Sequence, residues 1–216
     1  VQVVDPDPRD GVEGSLEFRR KMDAAVGEPY YKIEGLAAIP GERGDGLLLF
    51  GIREQGKAHD DFDYVRRVIG AHYIINDDDN LEFVDALHDV FSFDPGEYDG
   101  VEHICGLSSL EYDPYHGQLY LLTSFETEEG DDEIIGGYLW VMSLHDFRQG
   151  RAPTLVRDDN DKVLEFEHKA EGLAVLDRER LFVAYDNDRN YDLHSVSERD
   201  ERRCCEAPYT ILGLVQ

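Results

Sequence analysis

The residues with the clearest capacity for chemistry are two glutamates that stand before the same apolar pattern. Glu34 and Glu171 each begin the tetrapeptide Glu-Gly-Leu-Ala, and Asp186 ends the apolar run that follows Glu171. Carboxylate oxygens are the ligands that calcium prefers in proteins. Glu34, Glu171 and Asp186 are therefore the candidate metal ligands, and calcium is the candidate cofactor. The same carboxylates could instead pair with Arg53 in a purely structural ring, and the sequence leaves both alternatives open.

Three further side chains are candidates for ligand binding close to the same strand ends, namely Arg53, His103 and Asp188. Asp188 belongs to the segment 186–192, which carries oxygen side chains at alternating positions, as the start of a calcium loop does. Tyr191 stands where an EF-hand requires glycine, however. We interpret this segment as a loop that brings carboxylates to the strand ends, and not as an EF-hand.

The elements that must position these residues are hairpins that repeat along the chain. Gly-Leu pairs begin at 35, 106 and 172, and each pair leads into a polar turn and a second apolar strand. More apolar strands follow the first two hairpins, which indicates units of about four strands and about 65 to 70 residues. Such units predict an all-β fold, specifically the blades of a β-propeller. Helical spacing is limited to Leu16–Val26 and Leu144–Arg148.

Equivalent positions of the three repeats form two columns. The first column contains Glu34, Cys105 and Glu171, and the second contains Arg53, Ser124 and Asp186. The innermost strands of a propeller surround a central channel. We therefore expect the residues of each column to lie at matching points of consecutive innermost strands, close to the mouth of the channel.

The repeats divide the chain into an N-terminal segment over 1–31 and three blades near 32–100, 101–165 and 166–216. We interpret the N-terminal segment as the remnant of a preceding blade. Propellers typically close with about four to eight blades, and an open arc of three would leave an unpaired edge. We expect an incomplete ring in the chain as given, which further residues or a homo-oligomer would complete.

The repeats resemble an uncharacterised bacterial β-propeller family whose blades carry the same Glu-Gly-Leu-Ala motif. The resemblance rests on Glu34–Ala37 with Phe50–Arg53, and on Glu171–Ala174 with Tyr185–Asp188. That family is similar to phytase-like propellers and to SdiA-regulated propellers. The resemblance implies the propeller fold and, through the phytase-like relatives, a metal-assisted phosphoesterase or esterase activity as one alternative. The second repeat departs from the motif, because Cys105 replaces the glutamate.

Composition limits the classes of partner. The 48 Asp and Glu against 21 Lys and Arg give a net charge of -27, which disfavours nucleic acid and anionic membrane surfaces. No apolar run is long enough to insert into a membrane. Acidic residues spread along the whole chain are typical of a halophilic or marine source. The chain begins at Val1 without a signal peptide, which we interpret as a leader already removed or as the start of a piece; we favour a periplasmic or secreted bacterial protein.

Two functional hypotheses remain. The first is a binding or scaffold protein that holds a small molecule or a protein at an acidic, calcium-binding channel mouth. The second is the phosphoesterase or esterase, in which bound calcium would polarise the substrate and activate water. A phosphate site needs several cationic side chains, and only Arg53 and Lys57 stand close to the carboxylates in the repeat. This scarcity favours binding over catalysis.

Overall fold

The computed structural model describes residues 16–42, 44–129, 132–186 and 207–214. Strands account for 59% of these residues, so the all-β prediction is confirmed. The elements are α1 (Leu16–Val26), β1 (Tyr30–Pro40), β2 (Asp45–Ala58), β3 (Asp61–Ile75), β4 (Leu81–Phe83), β5 (His88–Ser92), a 3-10 turn (Pro95–Glu97), β6 (Gly106–Asp113), β7 (Gln118–Glu129), β8 (Asp132–Ser143), α2 (Leu144–Arg148), β9 (Thr154–Leu155), β10 (Glu165–Phe166), β11 (Ala170–Asp177), β12 (Arg180–Tyr185) and β13 (Tyr209–Gly213).

The strands form three antiparallel sheets in chain order. Sheet 1 has the order β1-β2-β3-β4 with β5 also on β3, sheet 2 the order β6-β7-β8-β10 with β9 also on β8, and sheet 3 the order β11-β12-β13. The sheets thus hold five, five and three strands, where the sequence predicted about four in each. None of the three sheets closes on itself within the described part of the chain.

The sheets stack face to face through their first strands, because β6 packs against both β1 and β11. One apolar core lies between sheets 1 and 2, and a second lies between sheets 2 and 3. Sheet 2 is therefore covered on both faces. Its strand β7 is buried continuously from Leu119 to Phe125, which is why that segment is apolar without the alternation of a half-exposed strand.

Helix α1 covers the other face of sheet 1. Met22 and Val26 lie one turn apart on one face of the helix and are buried against Phe50 and Ile52 of that sheet. Arg67 of β3 stabilises the end of the helix, because its Nη1 donates to the carbonyl oxygen of Val26 at 2.9 Å. The described part of the expected N-terminal segment is thus packed on sheet 1. No helix among the described residues has the length and apolar character needed to span a membrane.

Two of the three repeat glycines, Gly35 and Gly106, lie where sheets 1 and 2 approach each other closely. A Cβ atom on Gly35 would stand 3.0 Å from Leu110 of sheet 2, and one on Gly106 would stand 2.6 Å from Arg53 of sheet 1. At these two positions the adjacent sheet takes the space that a side chain would need. A Cβ atom on Gly172 would instead stand 3.2 Å from Ala184 of its own sheet.

Candidate functional site

Two of the candidate metal ligands and Arg53 lie at irregularities in strand pairing. The ladder between β1 and β2 passes over Glu34, and the ladder between β11 and β12 passes over Glu171. Arg53 is passed over in the pairing of β2 with both of its neighbours. A residue left unpaired at such a bulge has its side chain redirected. These bulges direct the three side chains to one point between the sheets.

Arg53 lies where these side chains meet, and only 1% of its own side chain is exposed. Its Nη1 donates to Glu34 Oε2 of sheet 1 at 3.0 Å and to Ser124 Oγ of sheet 2, and lies 3.6 Å from Glu171 Oε1 of sheet 3. The guanidinium carbon stands 5.3 Å from the centre of the Tyr64 ring. A single guanidinium therefore connects all three sheets.

Two lysines complete the pairing of the carboxylates. Lys32 Nζ lies 2.6 Å from Glu34 Oε1, and Lys169 Nζ lies 3.1 Å from Glu171 Oε1. Lys169 also pairs with Glu126 at 3.3 Å. We call the connected set the charged cluster; it consists of Lys32, Glu34, Arg53, Glu54, Glu126, Lys169 and Glu171.

Burial and the neighbouring charges shift the pKa values of Arg53 and Glu171 in opposite directions. Burial alone lowers the pKa of Arg53, but Glu34, Tyr64 and Glu171 outweigh it and raise the pKa above its usual value. Burial raises the pKa of Glu171, although Lys169 and Arg53 work against that increase. The arginine thus stays charged, while the fold makes Glu171 easier to protonate.

The ion pairs bear directly on the calcium hypothesis. Glu34 and Glu171 come together as the sequence analysis expected, but each already faces Arg53 and a lysine. No group of three or more His, Cys, Asp or Glu side chains in the described ranges is arranged to hold a metal ion. A cation at this point would have to compete with three protein cations. The contacts therefore agree with the structural ring around Arg53, and calcium at Glu34, Glu171 and Asp186 stays a prediction.

Two of the remaining candidates, Asp186 and His103, make contacts of their own. Asp186 follows β12, and its N–H donates to the carbonyl oxygen of Lys169 at 3.0 Å. The His103 ring stacks on Phe125 with 4.3 Å between the ring centres, and it lines a cavity of about 280 Å³ before β6. Asp188 lies outside the described residues.

Cys105 does not occupy the position in the column that the sequence analysis gave it. It lies just before β6, whereas the bulge in the pairing of β6 with β7 falls at Ser108. Ser108 is buried, and its hydroxyl donates to the carbonyl oxygen of Ala170 at 2.8 Å. Sequence spacing placed the first column at Cys105, three residues before the bulge at Ser108. The position of a bulge is visible only in the strand register. Burial raises the pKa of the Cys105 thiol, which keeps it protonated.

The sequence analysis missed both lysines, although a signal for them is present. The repeated motif extends two residues upstream, so that Lys32 precedes Glu34 and Lys169 precedes Glu171 with one residue between. Lys32 lies in β1 and Lys169 directly precedes β11, and in both cases this spacing leaves the lysine within reach of the glutamate at the bulge. His103 takes the corresponding place before Cys105. The longer motif would have predicted an ion-paired cluster instead of a metal site.

Comparison with known proteins leaves the charged cluster without a described counterpart: no protein-family model, no curated protein and no solved structure matches this chain.

Proposed function

We propose that the three sheets are consecutive blades of a β-propeller-type binding or scaffold protein, and that the charged cluster is where its partner binds. Three features support the blade assignment. The first strands β1, β6 and β11 follow one another in contact, each sheet continues outward from its first strand, and neighbouring sheets share an apolar core.

The observation that carries the binding proposal is the convergence of three sheets on Arg53. Burying a guanidinium has a high desolvation cost, and an apolar substitute is often as stable. Folds depart from local rules of this kind chiefly at functional sites. Part of the cluster also faces solvent, since the side chains of Glu171 and Glu126 are 28% and 38% exposed.

The chemistry of the cluster favours a cationic partner, either a small molecule or a segment of protein. The cluster contains four carboxylates and three cations, and the whole chain carries a net charge of -27. A negative field of this kind attracts cationic molecules and raises their rate of association. An incoming ammonium group would reach Glu171 and Glu126 from the solvent side and would have to displace Lys169, which pairs with both.

Hydrolysis is the less favoured alternative. A phosphoesterase would need carboxylates available to a metal and cations available to phosphate. The charged cluster meets neither requirement, because Lys32, Arg53 and Lys169 are already paired with the carboxylates.

Calorimetric titration with spermidine in about 0.15 M sodium chloride tests the proposal. We expect saturable binding that Glu171→Gln weakens roughly tenfold, since a hydrogen bond to a charged group is lost. Glu42→Gln is the matched control, because it removes the same charge from an exposed site in the β1–β2 turn. This control should weaken binding by less than about twofold.

Two results would contradict the proposal. Equal weakening in both variants would mean that spermidine senses only the net charge. A saturable calcium isotherm that magnesium does not reproduce, and that Glu171→Gln abolishes, would instead establish the calcium site expected from the sequence.

A further inference from the structure

Strand β12, the central strand of sheet 3, carries apolar side chains on both of its sides. Leu181 and Val183 are fully buried in the core that sheet 3 shares with sheet 2. Phe182 and Ala184 alternate with them and therefore point away from sheet 2. A short uninterrupted apolar run of this kind is typical of a strand that is buried on both faces, as β7 is in sheet 2.

The neighbouring strands extend this apolar surface. Ala174 of β11 lies opposite Phe182, and Ile211 and Tyr209 of β13 lie opposite Phe182 and Ala184. Directly paired residues share one face of a sheet, so we call these five residues the outer face of sheet 3. In the described part of the chain this face is open to solvent, since Tyr209 and Ile211 are 61% and 47% exposed.

The repeat indicates that another sheet belongs on this face. Leu49, Tyr120 and Phe182 each stand four residues before the second column of the repeat, one in each sheet. Leu49 is buried in the core between sheets 1 and 2, and Tyr120 in the core between sheets 2 and 3. Phe182 holds the equivalent position, and no further sheet lies beyond it among the described residues.

The opposite end of the stack is already covered. Met22 and Val26 of α1 pack on Phe50 and Ile52 of sheet 1, so a sheet from another molecule could not lie flat there without displacing the helix. The outer face of sheet 3 is therefore the sheet face that each copy of the chain leaves available among its described residues.

Charge is absent from the outer face although the chain is strongly acidic. Its five residues are all uncharged in a chain with 48 Asp and Glu, and Arg180 at its rim is paired with Asp177. The Phe182 and Tyr209 rings stack at its centre with 5.4 Å between the ring centres. Apolar surface that contains aromatic rings and excludes charge is typical of the core of a protein–protein interface.

We propose that the outer face of sheet 3 packs on the same face of a second copy of this chain and forms a symmetric dimer. Packing of sheet on sheet through apolar side chains is the contact that this chain already makes twice, and the dimer adds a third contact of the same kind. A two-fold axis makes the contact self-complementary, because each residue of the face serves both copies. The proposal goes beyond the charged cluster and does not depend on it.

Sedimentation velocity of the whole chain at increasing protein concentration tests the proposal. We expect a monomer–dimer equilibrium in about 1 M sodium chloride that shifts toward the monomer at about 0.1 M, because two copies of net charge -27 repel each other over the longer Debye length. A chain that stays monomeric up to about 1 mM in both salts would overturn the proposal, since a weaker association is not a stable interface.

Three lysine variants locate the contact. Ile211→Lys and Tyr209→Lys replace exposed side chains, so each should keep the circular dichroism of the parent. Each should raise the dissociation constant of the dimer at least about 100-fold, because the unpaired ammonium group enters a two-fold interface twice. Leu36→Lys is the matched control, since Leu36 is 60% exposed and lies opposite Phe50 in sheet 1. This control should change the dissociation constant by less than about twofold.

Two results from the variants would overturn the proposal. A dimer that survives both Ile211→Lys and Tyr209→Lys would form through a different surface. A dimer that Leu36→Lys weakens as strongly as Ile211→Lys would instead be a head-to-tail contact between sheet 3 of one copy and sheet 1 of the other.

Discussion

A guanidinium that is 1% exposed is compatible with the fold only while its carboxylates remain beside it. Replacing Arg53 with methionine keeps most of the side-chain volume but leaves Glu34 and Glu171 facing each other without the shared cation. We expect the free energy of unfolding to fall by about 3–5 kcal/mol, the usual result of removing one partner from a buried ion pair. Urea denaturation of parent and variant measures this change.

Two comparisons identify the cause of that loss. Adding Glu34→Gln and Glu171→Gln to Arg53→Met should restore part of the stability, because the repulsion between the two carboxylates is then removed while Lys32 and Lys169 keep Glu54 and Glu126 as partners. Arg180→Met breaks an exposed pair with Asp177 and should change stability little. If the triple variant is no more stable than Arg53→Met, the loss comes from packing and the charge argument is wrong.

At this residue scale, the sequence predicted the meeting of Glu34, Arg53 and Glu171 and left two alternatives open for it, a metal site and a structural ring. The repeat showed that the three are equivalent or adjacent in space. Whether these carboxylates bind a metal or a lysine depends on the direction in which the neighbouring side chains project. That direction depends on the bulges at Glu34 and Glu171. Lys32 and Lys169 stand two residues before these glutamates, a spacing that the motif contains.

At the scale of the elements, the close approach of sheets 1 and 2 leaves no room for a side chain at Gly106. A methyl group there would stand 2.6 Å from Arg53 Cγ and 2.9 Å from the Arg53 carbonyl oxygen. Because backbone cannot easily withdraw, we expect Gly106→Ala to lower the free energy of unfolding by about 1–3 kcal/mol. Gly213→Ala in β13 is the control, since a methyl group at that position has no neighbour within 4 Å. Equal urea midpoints for the two variants would show that the sheets can separate without cost.

The hairpins and both helices were predictable because each is specified by local spacing. The α1 and α2 patterns at Leu16–Val26 and Leu144–Arg148 match the observed bounds. Strands β5 and β10 were not predicted. Their short segments pair with distant strands β3 and β8, and local pattern contains no information about that pairing.

At the scale of the whole molecule, the two end sheets differ. Helix α1 covers the outer face of sheet 1, while the outer face of sheet 3 carries exposed Tyr209 and Ile211. Each sheet packs through first strands onto the next, so a further blade or a second copy on sheet 3 would continue the same stacking. The sequence predicted three successive units from its three repeats, and the open arc of blades stays a prediction; it could not predict that a helix covers the outer face of sheet 1.

The net charge of -27 leads to the last prediction, which concerns the salt dependence of stability. Like charges on a compact surface repel each other more than in the extended chain, and salt screens that repulsion. The Debye length falls from about 10 Å at 0.1 M to about 3 Å at 1 M ionic strength, so the Tm should rise steadily as sodium chloride is increased over this range. The ion pair of Arg53 with Glu34 is too buried for the same salt to weaken it much. Repeating the series near the isoelectric point of about 4.4 provides the control, because the net charge and therefore the salt effect should be much smaller there. A Tm that stays flat or falls with salt at neutral pH would show that surface repulsion does not limit the stability of this fold.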